Sequence, residues 1–208
     1  MTKKVAVKPL KQQSVVIEIP PIEKGILEIT LVGDSPLICH RWSEKAKREM
    51  LDKQMKKATQ KKEAKDPERD FRESLYPFPG GGYGFPALAF KTAAVDACSH
   101  LSDITKVQAR GAFHVIGELV KIHGDVTRRE DMVTIGMGTA DIRYRGEFKT
   151  WKTKVTVQFN THILSKEQVV NLFNTAGFAI GVGEWRPQRD GNFGMFHVGS
   201  EAEVANRH

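Results

Sequence analysis

Cysteine is nearly missing from this 208-residue chain, where only Cys39 and Cys98 occur. Two thiols cannot staple a domain of this size, and neither sits in a CxxC or Cys/His ligand spacing. A disulfide scaffold and a zinc site are therefore excluded, and a reducing compartment is expected. Long hydrophobic runs are missing as well, and none approaches the ~20 residues of a membrane span. Residues 1–10 are basic but lack the apolar stretch and cleavage site of a secretory signal, so a cytoplasmic protein is expected. Acidic side chains are in deficit: Asp+Glu 25 stand against Lys+Arg 32, a net charge of +7 with a pI near 9.4. That balance favours an acidic partner, either nucleic acid or an anionic membrane surface, and says nothing about fold. Apolar residues are not scarce. At 40%, with 18 glycines besides, they suffice for a core and exclude wholesale disorder.

The chain divides by composition into an N-terminal arm (1–24), a domain (25–200) and a short tail (201–208). The arm holds Lys3, Lys4, Lys8 and Lys11, then a β-prone stretch, Val15 to Ile19, ended by Pro20-Pro21. Such a strand could pair with its own sheet or with a neighbouring subunit. Ile26 to Val32 reads as the first strand, halted by Gly33-Asp34. Ser43 can cap a helix whose stretch from Lys45 to Lys62 is dense in lysine and carries only a thin stripe, Met50, Leu51 and Met55. That suits a solvated helix or one that tracks phosphates. Tyr76 to Pro86 holds Gly80-Gly81-Gly82 between two aromatic-bearing arms, a tight reversal, and Pro86 can open a helix. Phe90, Ala94, Ala97, Cys98 and Leu101 form a helical stripe, which makes Cys98 a core residue. Residues 112–122 read as a strand on which His114 is structural. Residues 123–149 read as an inserted hairpin. From Trp151 to Asn160 the alternation is clear: Trp151, Val155, Val157 and Phe159 share one face, and Lys152, Lys154, Gln158 and Asn160 the other. Ser165 and Gln168 form a capping box, and Val169, Leu172, Phe173 and Ala176 a buried stripe, with Gly177 placed to stop the helix.

The stretch from Ala179 to Val198 is the most informative. Gly181-Val182-Gly183 follows a helix, so it is no dinucleotide loop, and the Lys-Ser/Thr of a phosphate-binding P-loop is missing. Closely spaced glycines with Arg186 and Arg189 would instead bring backbone N–H groups near an anion. A plain glycine-rich turn dissolved by its arginines is the alternative.

This pattern resembles the glycine-rich loop of the RAMP superfamily of CRISPR-associated proteins, carried here by Gly181, Val182, Gly183, Arg186, Gly191, Phe193 and Gly194. The element order agrees: strand 26–32, helix 87–101, strand 112–122, strand 151–161, helix 166–177 and strand 193–198. The resemblance implies an α+β, ferredoxin-like (RNA-recognition-motif-like) β-α-β-β-α-β core. It carries a helical insertion after the first strand (41–86) and a thumb-like hairpin between the second and third (123–149). The chain is small for a full-size backbone subunit and has no second ferredoxin-like half. A minimal backbone subunit or a phage- or plasmid-type homologue is implied.

The function expected is non-catalytic binding of single-stranded nucleic acid, RNA over DNA, such as a CRISPR guide. Copies of the chain would sit along the strand, with other effector subunits as possible partners. The expected contacts are Arg41, Lys91, Lys152, Lys154, Arg186 and Arg189 on phosphates, with Gly181 and Gly183 allowing close approach. Arg143, Tyr144 and Arg145 would form the thumb. Trp185 and Tyr144 are candidate stacking platforms, although either could be core. No metal or cofactor is expected. Three alternatives stay open: a metal-independent RAMP-type endoribonuclease using His40 as general acid or base, a single-strand annealing protein of phage recombination, and a structural or virion protein with an incidentally basic surface.

Overall fold

The computed structural model describes residues 21–57, 64–135, 138–200 and 202–203. The β-prone arm, Lys61, Lys62, the hairpin residues Gly136 and Met137 and most of the C-terminal tail lie outside the described residues.

The first strand, β1 (Lys24–Gly33), buries Ile29 and Leu31 on one face and exposes Ile26 and Glu28 on the other. A bend at 34–36 leads into a short, fully buried β2 (Leu37–Cys39). Then α1 (Glu44–Gln54) starts at Ser43, whose hydroxyl accepts the Ala46 N–H at 3.1 Å. Its thin apolar stripe buries nothing, as a solvated helix should. α2 (Pro67–Glu73) is capped by Asp66 with proline at its first position. The glycine reversal joins β3 (Tyr76–Pro77) to β4 (Tyr83–Pro86), and Gly80, Gly81 and Gly82 all take positive φ there.

α3 (Ala87–Ala97) opens directly after Pro86 and buries Phe90, Ala94 and Ala97. It ends earlier than its stripe predicts, in a single 3₁₀ turn over Cys98–His100. A further helix, α4 (Lys106–Ala112), with a Thr105/Gln108 capping box, precedes the second core strand. That strand is broken into β5 (Phe113–Val115) and β6 (Leu119–His123) at Gly117, φ 97°. The inserted hairpin is β7 (Val126–Ile135) and β8 (Thr139–Phe148), followed by β9 (Lys152–Asn160). α5 (Lys166–Ala179) makes both halves of the predicted capping box, and β10 (Phe196–Val198) closes the fold. Gly177 does not end α5. A Cβ there would overlap the Phe196 carbonyl oxygen, so glycine lets the helix lie on β10, and the backbone reverses at Gly181, φ 68°.

The architecture is α+β with antiparallel sheets. The main sheet runs β10-β1-β9-β6-β4-β3, with β5 also pairing β9. This order is compatible with the expected ferredoxin-like core. α3 and α5 pack together on one face of the sheet, over a core in which Phe90, Trp151 and Phe196 meet edge to face or tilted, with ring centroids 5.7–6.4 Å apart. The hairpin is not a free thumb. β2 pairs with its root, Leu37 opposite Phe148 and Cys39 opposite Gly146, making a second sheet of order β2-β8-β7.

Candidate nucleic-acid interface

A groove of about 710 Å³ lies between α1, α2 and the hairpin strand β8. Six cationic side chains line it against three anionic ones, so a polyanion meets a net positive wall. Trp42, 58% exposed, and Tyr144 both line it. α2 is fixed to the hairpin at its C-terminal end. There the buried Ser74 hydroxyl donates to the Phe71 carbonyl at 2.6 Å and accepts the Gly146 N–H at 2.8 Å. At the other end Glu68 pairs with Arg128, which also lies 5.8 Å over the Tyr144 ring, and Lys65 bonds Asp141 and the Ile142 carbonyl. The Lys65 hydrogen bond, with Arg143 at 2.7 Å, holds the Asp141 carboxyl below the ordinary aspartate value. Arg41 reaches Glu44 at 3.8 Å, and its buried Nε has no hydrogen-bond partner.

Arg145 has a different place from Arg143. Its side chain is 6% exposed and bonds Asp131 at 3.2 Å, with Glu184 at 3.7 Å and His40 Nδ1 at 3.4 Å. Arg129 extends the network, bonding Asp131 at 2.7 Å and Glu147 at 2.8 Å while lying 4.8 Å over the Phe193 ring. His40 Nδ1 stands 3.3 Å from Glu184, and that hydrogen bond, with Arg145 beside it, outweighs burial and lowers the Glu184 pKa. The hairpin root, the residue after β2 and the glycine loop are thus tied by buried charge, and Arg145 serves that tie.

The loop itself corrects one expectation. Its amides are taken up inside the protein instead of facing an anion: Gly181 N–H donates to Ala176 O, Val182 N–H to Gly194 O, Glu184 N–H to Ile38 O and Gly194 N–H to Pro36 O, all at 2.8–3.1 Å. The glycines answer to packing. A Cβ on Gly183 would meet the Ile38 carbonyl oxygen and the Leu37 side chain, and one on Gly194 would overlap the Val182 carbonyl oxygen. Arg186 Nη1 donates to the Gly183 carbonyl at 3.0 Å and the same guanidinium bonds Gln188, so it closes the loop. Arg189 is exposed on a 3₁₀ turn, and Trp185, at φ 55°, is 42% exposed and not core.

The expected contacts therefore fall into separate places. Arg41, Arg143, Tyr144, Arg145 and His40 line the groove. Trp185, Arg186 and Arg189 lie on the loop. Lys91, on α3, bonds His114 of β5 at 3.0 Å. Lys152 and Lys154 stand on the main-sheet face away from α3 and α5, where Lys154 lies 3.6 Å from Glu28. The sequence reading missed Trp42, Lys65 and Arg69 in the groove, because they belong to an insertion whose placement on β8 no local pattern encodes. An exposed tryptophan beside Arg41 was the one available signal.

No family model matches this chain, and no curated protein matches it. Among solved structures it is similar to Cmr6 from Pyrococcus furiosus, at 9% identity and a TM-score of 0.42, over 86% of this chain and 100% of that one. No helix among the described residues is long and apolar enough to cross a membrane.

Proposed function

We propose that this chain is a RAMP-type subunit with a ferredoxin-like core that binds single-stranded nucleic acid, RNA in preference to DNA, in the groove between α1, α2 and the hairpin, with copies side by side along the strand. The observation that carries the reading is the groove itself. It is net positive and has Trp42 and Tyr144 as aromatic surfaces in its lining. Cations neutralise phosphates and release counterions, and a base stacked on an aromatic ring adds about 1–3 kcal/mol without regard to sequence. The sheet order β10-β1-β9-β6 supports the fold assignment, since it places the first and third core strands at the centre.

Fluorescence anisotropy with labelled single-stranded RNA and DNA tests it. Affinity is expected to fall steeply between low and moderate salt, and Trp42→Ala is expected to weaken binding about fivefold or more. Salt-independent binding, or no loss in Trp42→Ala, would sink the proposal.

The 3.3 Å contact between His40 and Glu184 favours a second reading, the endoribonuclease. Glu184 can orient the imidazole so that its other nitrogen serves as acid or base in the groove. Cleavage of labelled RNA in EDTA that disappears in His40→Ala would select it over simple binding.

A further inference from the structure

We propose that the stretch Val15 to Ile19 of one copy adds as an antiparallel strand to the free edge of β1 in a second copy. The chain would then self-associate by exchanging its N-terminal arm, whether or not nucleic acid is bound.

Residue parity decides which backbone groups that edge offers. In β1 the odd residues turn their N–H and C=O toward β9, as the bonds from Gly33 N–H to Trp151 O and from Thr161 N–H to Glu23 O require. The even residues turn theirs the other way, where Gly199 N–H donates to Thr30 O. On that side β10 pairs only with Leu31 to Gly33. Lys24, Ile26 and Glu28 therefore present a row of donors and acceptors along one edge, and no described residue pairs with them there. Burial changes at the same boundary. Ile29 and Leu31 are buried, whereas Leu27 on the same face is only half-buried, and Ile26 on the other face is 61% exposed. An unpaired edge flanked by apolar side chains is a template for a further strand.

The sequence supplies the occupant. Residues 1–20 lie outside the described part and hold one β-prone stretch, Val15 to Ile19, as long as the free edge from Lys24 to Glu28. That stretch does not return to its own β1. Pro20 and Pro21 follow it directly, and a residue before proline is held extended, so Ile19 and Pro20 make no reversal. Pro21, Ile22 and Glu23 form no turn either, and Glu23 is already bonded to Thr161. The favoured two-residue hairpin turns need a positive φ at their first position, which Pro21 cannot take. The stretch is thus carried past the end of the sheet, within reach of a neighbour. With Ile17 opposite Ile26, Val16 falls beside Leu27. Residues before Val15 then run toward Asp34 and Glu203, which brings Lys8 and Lys11 to the carboxylates beside β10. A parallel strand would take those lysines to the opposite end.

Sedimentation velocity on nuclease-treated, full-length protein tests this, with RNA anisotropy kept as a separate measurement so that the groove reading stands or falls alone. Self-association that rises with concentration is expected. Ile26→Pro removes a donor from the free edge and none from the β1–β9 ladder, and Ile17→Pro removes the matching donor from the arm. Each should leave a monomer with an unchanged circular dichroism spectrum; if Ile26→Pro misfolds, Ile17→Pro, which leaves β1 untouched, decides. A copy carrying Ile17→Cys and a larger, tagged copy carrying Ile26→Cys should form a mixed disulfide dimer in oxidised glutathione, since paired Cα atoms about 5.5 Å apart suit the bond. The native Cys39 and Cys98 are buried. A monomer at every concentration would overturn the proposal. So would association that survives both proline variants, or a disulfide formed only within single chains of Ile17→Cys/Ile26→Cys.

Discussion

Gly177 shows how a single missing side chain sets a close approach. Inside a helix, alanine is ordinarily the better residue. Here the backbone of β10 occupies the space a methyl group would need. Gly177→Ala is therefore expected to destabilise the protein by about 1–3 kcal/mol, read as a lower urea midpoint at unchanged slope. Glu184 carries a second residue-level consequence. The hydrogen bond from His40 and the charge of Arg145 hold its pKa below the ordinary 4.5, so the ionised form is favoured in the folded state. The stability this gives is fully present above about pH 4.5 and is lost as pH falls through the lower, folded-state value. Glu184→Gln should thus cost stability at pH 7 and cost progressively less as pH drops below 4.5, as urea midpoints across that range will report. Little of this was visible in the sequence. Gly177 there reads as a helix stop, and Glu184 is one acid among glycines, because both roles depend on what β10 and the hairpin bring near.

Elements were more legible than their contacts. Alternation marked β9, and Ser-x-x-Gln marked the start of α5, because both signals lie within a few residues and need no partner. β2 and α4 were missed: three residues are too few to show a period, and seven too few to set a stripe apart from loop. The hairpin was placed within a few residues of its observed ends, yet its setting was not, since β2 turns a projecting arm into one strand pair of a three-stranded sheet. The joint between that sheet and α2 runs through Ser74. Removing its hydroxyl in Ser74→Ala would strand the buried Gly146 N–H, at an expected cost of about 1–3 kcal/mol. A lowered melting temperature, with weakened groove binding from the loosened wall, would register it; an unchanged melting temperature would show the joint to be dispensable.

Across the whole molecule, composition gave the sign of the net charge and local pattern gave the fold class, but neither could give the groove. Its walls come from residues 40–49, 65–74, Val133 and 141–145, and only tertiary docking sets the first two stretches against the hairpin. The glycine loop was the most conspicuous stretch in the sequence for a different reason: close backbone packing selects the same residues that anion binding does. The strand order carries one more consequence. β1 pairs along nearly its whole length with β9, so residues 24–32 must wait for 152–160. During synthesis the apolar underside of that first strand has no lasting mate until residue 160 has left the ribosome. Meanwhile a self-contained β-ribbon and two short helices can already fold. Maturation should accordingly proceed from the insertions inward, and interruption before the ninth strand should yield a sticky fragment prone to aggregate or to recruit chaperones.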